Sequence, residues 1–150
     1  MTGPLDYEDV EKGREVLGKA FRILMVDDDE DDIFAVHRGV LTLESEIDFV
    51  AASNSEEAFA HLKKQASDAV DLIILDVNIP RINGFEILTK LKSVAKWRDI
   101  PVMMLSTSEN EIDSKRANDL GAVSFTTKFS SMKTLNKWAN GVEKFLQAQS

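Results

Sequence analysis

Asp71-Leu72-Ile73-Ile74-Leu75-Asp76, running on into Val77-Asn78-Ile79-Pro80, is the stretch on which the architecture turns. Four consecutive apolar residues with no polar interruption describe a strand covered on both faces, because a half-exposed strand would alternate. The run ends on a carboxylate. An acid placed directly after a buried central strand needs a compensating partner, since an isolated buried charge is too costly to keep. Pro80 and Gly84 then mark a turn, after which Ile87, Leu88, Leu91 and Val94 recur at helical spacing.

The same rhythm extends in both directions. Arg22-Ile23-Leu24-Met25-Val26 is a second buried-strand run and stops in a block of acids, and Ile33, Val36, Val40 and Leu41 follow at helical spacing. Residues 47–52 read as another strand, followed by Ser53-Asn54-Ser55-Glu56-Glu57, a helix-start signal of the capping-box kind, and a helix carrying Ala58, Leu62 and Ala66. Toward the C-terminus, residues 100–105 form a fourth strand. A polar helix over 109–120 has only Ile112, Ala117 and Leu120 to bury, and Gly121 reads as its C-cap. A short strand at 123–125 precedes a last helix with the stripe Leu135, Trp138, Ala139, Val142, Phe145 and Leu146.

Five near-continuous apolar strands alternating with helices predict an α/β, doubly wound parallel sheet covered on both sides, with right-handed crossovers. In such sheets the functional crevice lies at the carboxyl ends of the strands. The residues there are Asp27, Asp28 and Asp29 after the first strand, Asp76 after the third, Ser106 after the fourth and Lys128 after the fifth.

Composition narrows the classes. With 150 residues and 43% hydrophobic side chains the chain fills one core and is too short for two ordinary domains. It has no cysteine, so disulfides and thiolate metal sites are excluded. A formal charge of −8 argues against a nucleic-acid partner. No apolar run is long enough to span a bilayer, and the acidic start has no signal-peptide core, so the expected location is cytoplasmic, without membrane association. An EF-hand loop fails: Asp27, Asp29 and Asp31 have the spacing, but Asp32 stands where glycine is needed and Arg38 where glutamate is needed.

Carboxylates crowded at one crevice repel one another unless a cation compensates, and oxygen-only ligation without His or Cys suits magnesium. Phosphoryl transfer asks for a nucleophilic oxygen, charge neutralisation, a cationic side chain and a hydroxyl donor. Asp76, Lys128 and Ser106 match the nucleophile, cation and hydroxyl in turn. The competing readings are structural. Asp29 to Asp32 suit a solvated helix N-terminus, Ser106 a helix N-cap, Lys128 the surface and Phe125 the core. His37 and His61 have no companions and read as surface residues.

The motifs ILMVDDDEDD (23–32), LIILDVNIPRINGFEIL (72–88), IPVMMLSTS (100–108) and GAVSFTTK (121–128) resemble the receiver domain of two-component response regulators, and the resemblance covers roughly residues 21–146. The combination looks like the single-domain receivers that partner phytochrome-type sensor kinases. The resemblance implies a flavodoxin-like sheet of strand order 2-1-3-4-5, in a receiver domain over 21–147 preceded by a 1–20 extension. Tyr7, Val10 and Leu17 in that extension suggest a short helix weakened by Gly13 and Gly18. It also implies Asp76 as phosphoacceptor and Asp27, Asp28, Asp76 and the Asn78 carbonyl as Mg²⁺ ligands. Ser106, Lys128 and Phe125 become the phosphate-binding and switch positions.

The implied function is acceptance of a phosphoryl group from a sensor histidine kinase or histidine phosphotransfer protein, then signalling to a downstream protein target. Such a protein is not an enzyme in the ordinary sense, although it assists its own phosphorylation and dephosphorylation. The fourth helix, fifth strand and last helix would carry the phosphorylation-dependent shift and any homodimer contact. The alternatives are a degenerate receiver that only binds protein and a haloacid-dehalogenase-type phosphatase. The latter lacks the acidic motif it would need within 126–133.

One position departs from the family pattern, in which the lysine is usually followed by a cis proline. Phe129 stands there, and a cis bond before a non-proline residue costs roughly 2.5–4 kcal/mol. A trans bond, with Phe129 in a new apolar contact, is the favoured expectation.

Overall fold

A computed structural model of the chain describes residues 20–64 and 70–150. The expected short helix within 2–19 and the contribution of Ala66 lie outside the described residues. Among the described residues five strands and five helices alternate: β1 Phe21–Val26, α1 Glu30–Leu41, β2 Ile47–Ala52, α2 Ser55–Lys64, β3 Leu72–Asp76, α3 Gly84–Ser93, β4 Val102–Ser106, α4 Glu111–Asp119, β5 Ser124–Thr127 and α5 Met132–Gln149. All strands pair in parallel, in the order β2-β1-β3-β4-β5. The flavodoxin-like, doubly wound arrangement expected from the sequence is therefore the observed one.

Every residue of β3 and β4 is buried, which is why both read as unbroken apolar runs. Alternation along the strands still sorts side chains into two layers. Leu24, Val26, Ile73, Leu75, Val102 and Met104 pack on one side with Ala58, Leu62, Phe85, Leu88 and Leu91. On the other side Ile23, Met25, Leu72, Ile74, Met103 and Leu105 pack with Val36, Val40, Leu135, Val142 and Leu146. Helices α1 and α5 thus cover one face, and α2 to α4 cover the other.

Helix starts follow their caps. Asp29 accepts from the Asp31 and Asp32 N–H groups at the head of α1. Asn54 accepts from the Glu57 N–H, and Glu57 Oε2 reaches back to the Ser53 N–H, one residue before Asn54, so the expected capping box is met in a shifted form. Ser131 and Thr134 form a capping box at α5. At the end of α4, Gly121 takes φ +99°, the left-handed geometry that glycine tolerates.

Several expectations need correction. The fourth strand starts at Val102, not at 100, although the Pro101 carbonyl already accepts from Ile73 N–H. Helix α4 starts at Glu111 because Asn110 caps it, so Ser106 is no helix cap. Ile112, expected to bury, is 75% exposed, and Leu41 is 60% exposed. Within α4 only Ala117 is buried, and Arg116 lays its guanidinium 4.4 Å from the Phe85 ring centre. His37 is half-buried, its ring stacked on Phe49 at 4.6 Å, and His61 is half-buried with burial lowering its pKa.

Candidate functional site

Three adjacent strands end in polar side chains that the sheet carries to one rim. Asp27 directly follows β1, Asp76 is the last residue of β3, and Ser106 is the last residue of β4. Val26 pairs with Leu75, and Asp76 with Leu105, so Asp27 and Asp76 emerge side by side. Beyond β5, the Lys128 N–H donates to the Ser106 carbonyl at 2.7 Å, which fixes where the lysine stem leaves the sheet.

Asp27, Asp28 and Asp76 offer one carboxylate oxygen each within 4.8 Å of one another. Asp27 and Asp76 are buried and Asp28 is exposed, so the cluster has a closed floor and an open mouth. Asp27 Oδ1 accepts from the Asp29 N–H at 2.9 Å. Its Oδ2, and Oδ1 of Asp76, are buried without any hydrogen-bond partner. Two buried carboxylates, each with an unpartnered oxygen, beside a third, exposed one fit a hard divalent cation, which takes oxygen ligands and retains water on its open side.

The Lys128 ammonium reaches three carboxylates: Asp32 Oδ2 at 2.6 Å, Asp76 Oδ1 at 3.1 Å and Asp27 Oδ2 at 3.2 Å. The last two are within ion-pair distance but outside hydrogen-bond alignment. Asp32, expected to be a solvated helix-start residue, is therefore part of the site. It stands one helical turn before the buried Val36 and so on the inward stripe of α1.

The electrostatics follow from burial. Burial pushes the Asp27 carboxyl up to about 6; the Asp29 N–H opposes, the Asp76 charge adds and Lys128 opposes. Asp76 is also raised, again chiefly by burial, against the pull of Lys128 and the Asn78 N–H. For Lys128, burial lowers the pKa, but the contacts with Asp32, Asp76 and Asp27 outweigh it and the net shift is upward. The ammonium stays charged.

The remaining expected residues fall around this centre. Ser106 is fully buried, and its Oγ accepts from the Ser108 N–H at 3.0 Å, which engages a lone pair and not its proton. Asn78 is exposed, two residues past Asp76. Phe125 is half-buried and packs against the layer under α2 to α4. No peptide bond among the described residues is cis, so Lys128–Phe129 is trans, and the Phe129 ring lies 5.1 Å from that of Trp138 on α5.

This sheet, with an acidic pocket at its carboxyl rim and a lysine laid across it, defines a receiver. The family model for the response regulator receiver domain matches residues 23–140, and the chain belongs to that family. Response regulator Rcp1 of Synechocystis is 32% identical over 127 residues, 82% of this chain and 86% of Rcp1. PhoP of Bacillus subtilis, an alkaline phosphatase synthesis transcriptional regulator, is 33% identical over 77% of this chain but only 45% of its own length. Among solved structures, the phosphorylated cyanobacterial phytochrome response regulator RcpA superposes with a TM-score of 0.77 at 30% identity, over 87% of this chain and 96% of its own. The Mn²⁺-bound form of Rcp1 gives 0.73 at 30% identity, over 83% and 93%. No described helix is long and apolar enough to cross a membrane.

Proposed function

We propose that this chain is a phosphoacceptor response regulator in which Asp76 receives a phosphoryl group from a phosphohistidine, in a reaction that depends on Mg²⁺. The observation that carries the reading is Asp76 itself. Its buried carboxylate has one oxygen without a hydrogen-bond partner, 3.1 Å from an ammonium and clustered with Asp27 and Asp28. Strand-end capping does not need a lysine, and a salt bridge does not need three acids.

A Mg²⁺ ion held by Asp27, Asp28, Asp76 and the Asn78 carbonyl would offset the charge of the phosphoryl oxygens. The chain's own groups do the rest. A carboxylate oxygen of Asp76 attacks phosphorus, the P–N bond to the donor histidine breaks, and an aspartyl phosphate forms. The Lys128 ammonium pairs with a phosphoryl oxygen, and the Ser106 hydroxyl donates to another. The receiver unit is taken as residues 21–147, with 1–20 as an extension.

The proposed partners are a sensor histidine kinase of phytochrome type, or a histidine phosphotransfer protein, and a downstream protein target. Similarity to RcpA supports the first. The surface around α4, β5 and α5 is proposed to carry the output and any homodimer contact, with Phe125 as switch. A formal charge of −8 argues against a nucleic-acid partner, and the proposed location is the cytoplasm.

Acetyl phosphate with Mg²⁺ tests the reading. One phosphoryl group should appear by intact mass and vanish in Asp76→Asn. An unlabelled wild type would leave a receiver that acts only by binding protein.

A further inference from the structure

The three carboxylates around Lys128 are not equivalent. Asp32 Oδ2, at 2.6 Å, is the shortest of the three contacts and accepts from the ammonium in good hydrogen-bond geometry. Asp27 Oδ2 and Asp76 Oδ1 are 3.2 and 3.1 Å away, yet neither has a hydrogen-bond partner. The ammonium is thus drawn closest to the first turn of α1, and it meets the two buried oxygens as longer, less well aligned ion pairs. Those two residues, with Asp28, form the cation-binding cluster, and Asp32 is not a member of it.

A divalent cation entering the cluster competes with Lys128 for the same two carboxylates, Asp27 and Asp76. An ammonium hydrogen-bonded to Asp27 or Asp76 would have to be pulled off first, and an ammonium with no counter-charge of its own would repel the incoming ion. Asp32 removes both obstacles. Resting on the phosphoacceptor reading above, we propose that Asp32 is a positioning residue: it takes the short, aligned hydrogen bond of the Lys128 ammonium and so weakens the lysine's hold on Asp27 and Asp76, which a divalent cation can then take. Lys128 stays beside the acceptor with its charge already balanced, ready to turn toward a phosphoryl oxygen.

Without Asp32, the nearest acceptors left to Lys128 are the unfilled oxygens of Asp27 and Asp76, and the ammonium closes onto them. Cation affinity then falls for two reasons, loss of one negative charge and competition from the lysine. The exposed Asp31, one residue away, separates them, because Asp31→Asn removes the same charge without a bond to Lys128.

The test is a Mg²⁺ titration of the metal-free full chain by calorimetry, with wild type, Asp32→Asn, Asp31→Asn, Lys128→Met and the Asp32→Asn/Lys128→Met pair. Side chains sharing one network couple strongly enough that Asp32→Asn should weaken Mg²⁺ about tenfold, well beyond the loss in Asp31→Asn. In the Lys128→Met background the Asp32 substitution should do no more than Asp31→Asn does, and Asp32→Glu should restore much of the affinity. An Asp32→Asn loss no larger than that of Asp31→Asn, or one that persists without Lys128, overturns the proposal. Metal-free melting of each variant guards against misfolding, and Asp32→Ser gives the same comparison should the Asn variant melt early. Acetyl phosphate labelling is scored separately. Coupling without labelling of Asp76 leaves the positioning role standing and removes the phosphoacceptor reading, and labelling without coupling does the reverse.

Discussion

Gly84 gives the sharpest expectation about what holds the acceptor in place. A Cβ added there would lie 2.3 Å from the Asp76 carbonyl oxygen, 2.9 Å from Val77 Cα and 3.0 Å from the Asp76 carbonyl carbon. Ordinary contact begins near 3.4 Å, so the Asp76 peptide would have to retreat by about 1 Å. All three neighbours are backbone, so no side chain can rotate out of the way. β3 is bonded to β1 and β4, and the Gly84 N–H itself donates to the Val77 carbonyl at 2.8 Å. Overpacking of this kind costs about 3 kcal/mol, and at this chain length that lowers Tm by roughly 6–12 °C. Moving Asp76 by an ångström should also slow acetyl phosphate labelling by on the order of 100-fold. Gly141→Ala in α5 is the control, because nothing lies within 4 Å of its added methyl. That change should stabilise by about 1 kcal/mol, since alanine is the better helix former. Scanning calorimetry and intact-mass kinetics on the two variants decide the matter. A Gly84→Ala protein that melts within a degree or two of wild type and labels at the normal rate would refute the close approach of α3 to the acceptor strand.

Three further outcomes are expected. In metal-free buffer the Asp27 carboxyl rises from 3.8 to about 6 on folding. The unfolded chain therefore ionises first, and this group's contribution falls as pH rises through that window, by about 3 kcal/mol in full. Asp27→Asn should accordingly melt above wild type at pH 7.5 and lose that advantage near pH 4 or on adding millimolar Mg²⁺; an advantage independent of pH would contradict the burial argument. Ser106→Ala should leave Mg²⁺ affinity unchanged but lower the labelling rate roughly 10-fold, since it removes a donor used only with a phosphoryl group; unchanged labelling would deny Ser106 that role. Phe129→Ala should lose about 2–4 kcal/mol of stability and alter Trp138 emission, because the two rings pack together at 5.1 Å; unaltered emission would argue that they do not touch in solution.

The sheet was legible because Ile23–Val26 and Leu72–Leu75 are unbroken apolar runs that stop on acids, the pattern of a strand covered on both faces. Asp27, Asp76, Ser106 and Lys128 followed from one topological rule about strand ends. Asp32 did not, because an acid in the first turn of a helix is adequately explained by the dipole. Its four-residue spacing from Val36 carried the missing signal. Ile112 was misplaced for the opposite reason: α4 has so few apolar residues that its rotation is set by Ala117 and by Arg116 over Phe85, and a charged residue lying on a ring leaves no periodic trace. The stacking of His37 on Phe49 joins α1 to β2, a pairing that sequence spacing does not encode.

The two apolar layers share the strands but no side chains, since each core residue of β1, β3 and β4 belongs to one layer or the other. A substitution in the α1/α5 layer and another in the α2–α4 layer therefore have no common contact, and their effects on stability should simply sum. Either half can be repacked while the other is left untouched. The row of polar groups along the rim is where such changes would meet, because it is built from the ends of strands that both halves support. Pairs of core substitutions drawn from opposite layers should thus be independent in melting yet interdependent in phosphorylation, a pattern that marks the rim as the place where the molecule reads its own interior.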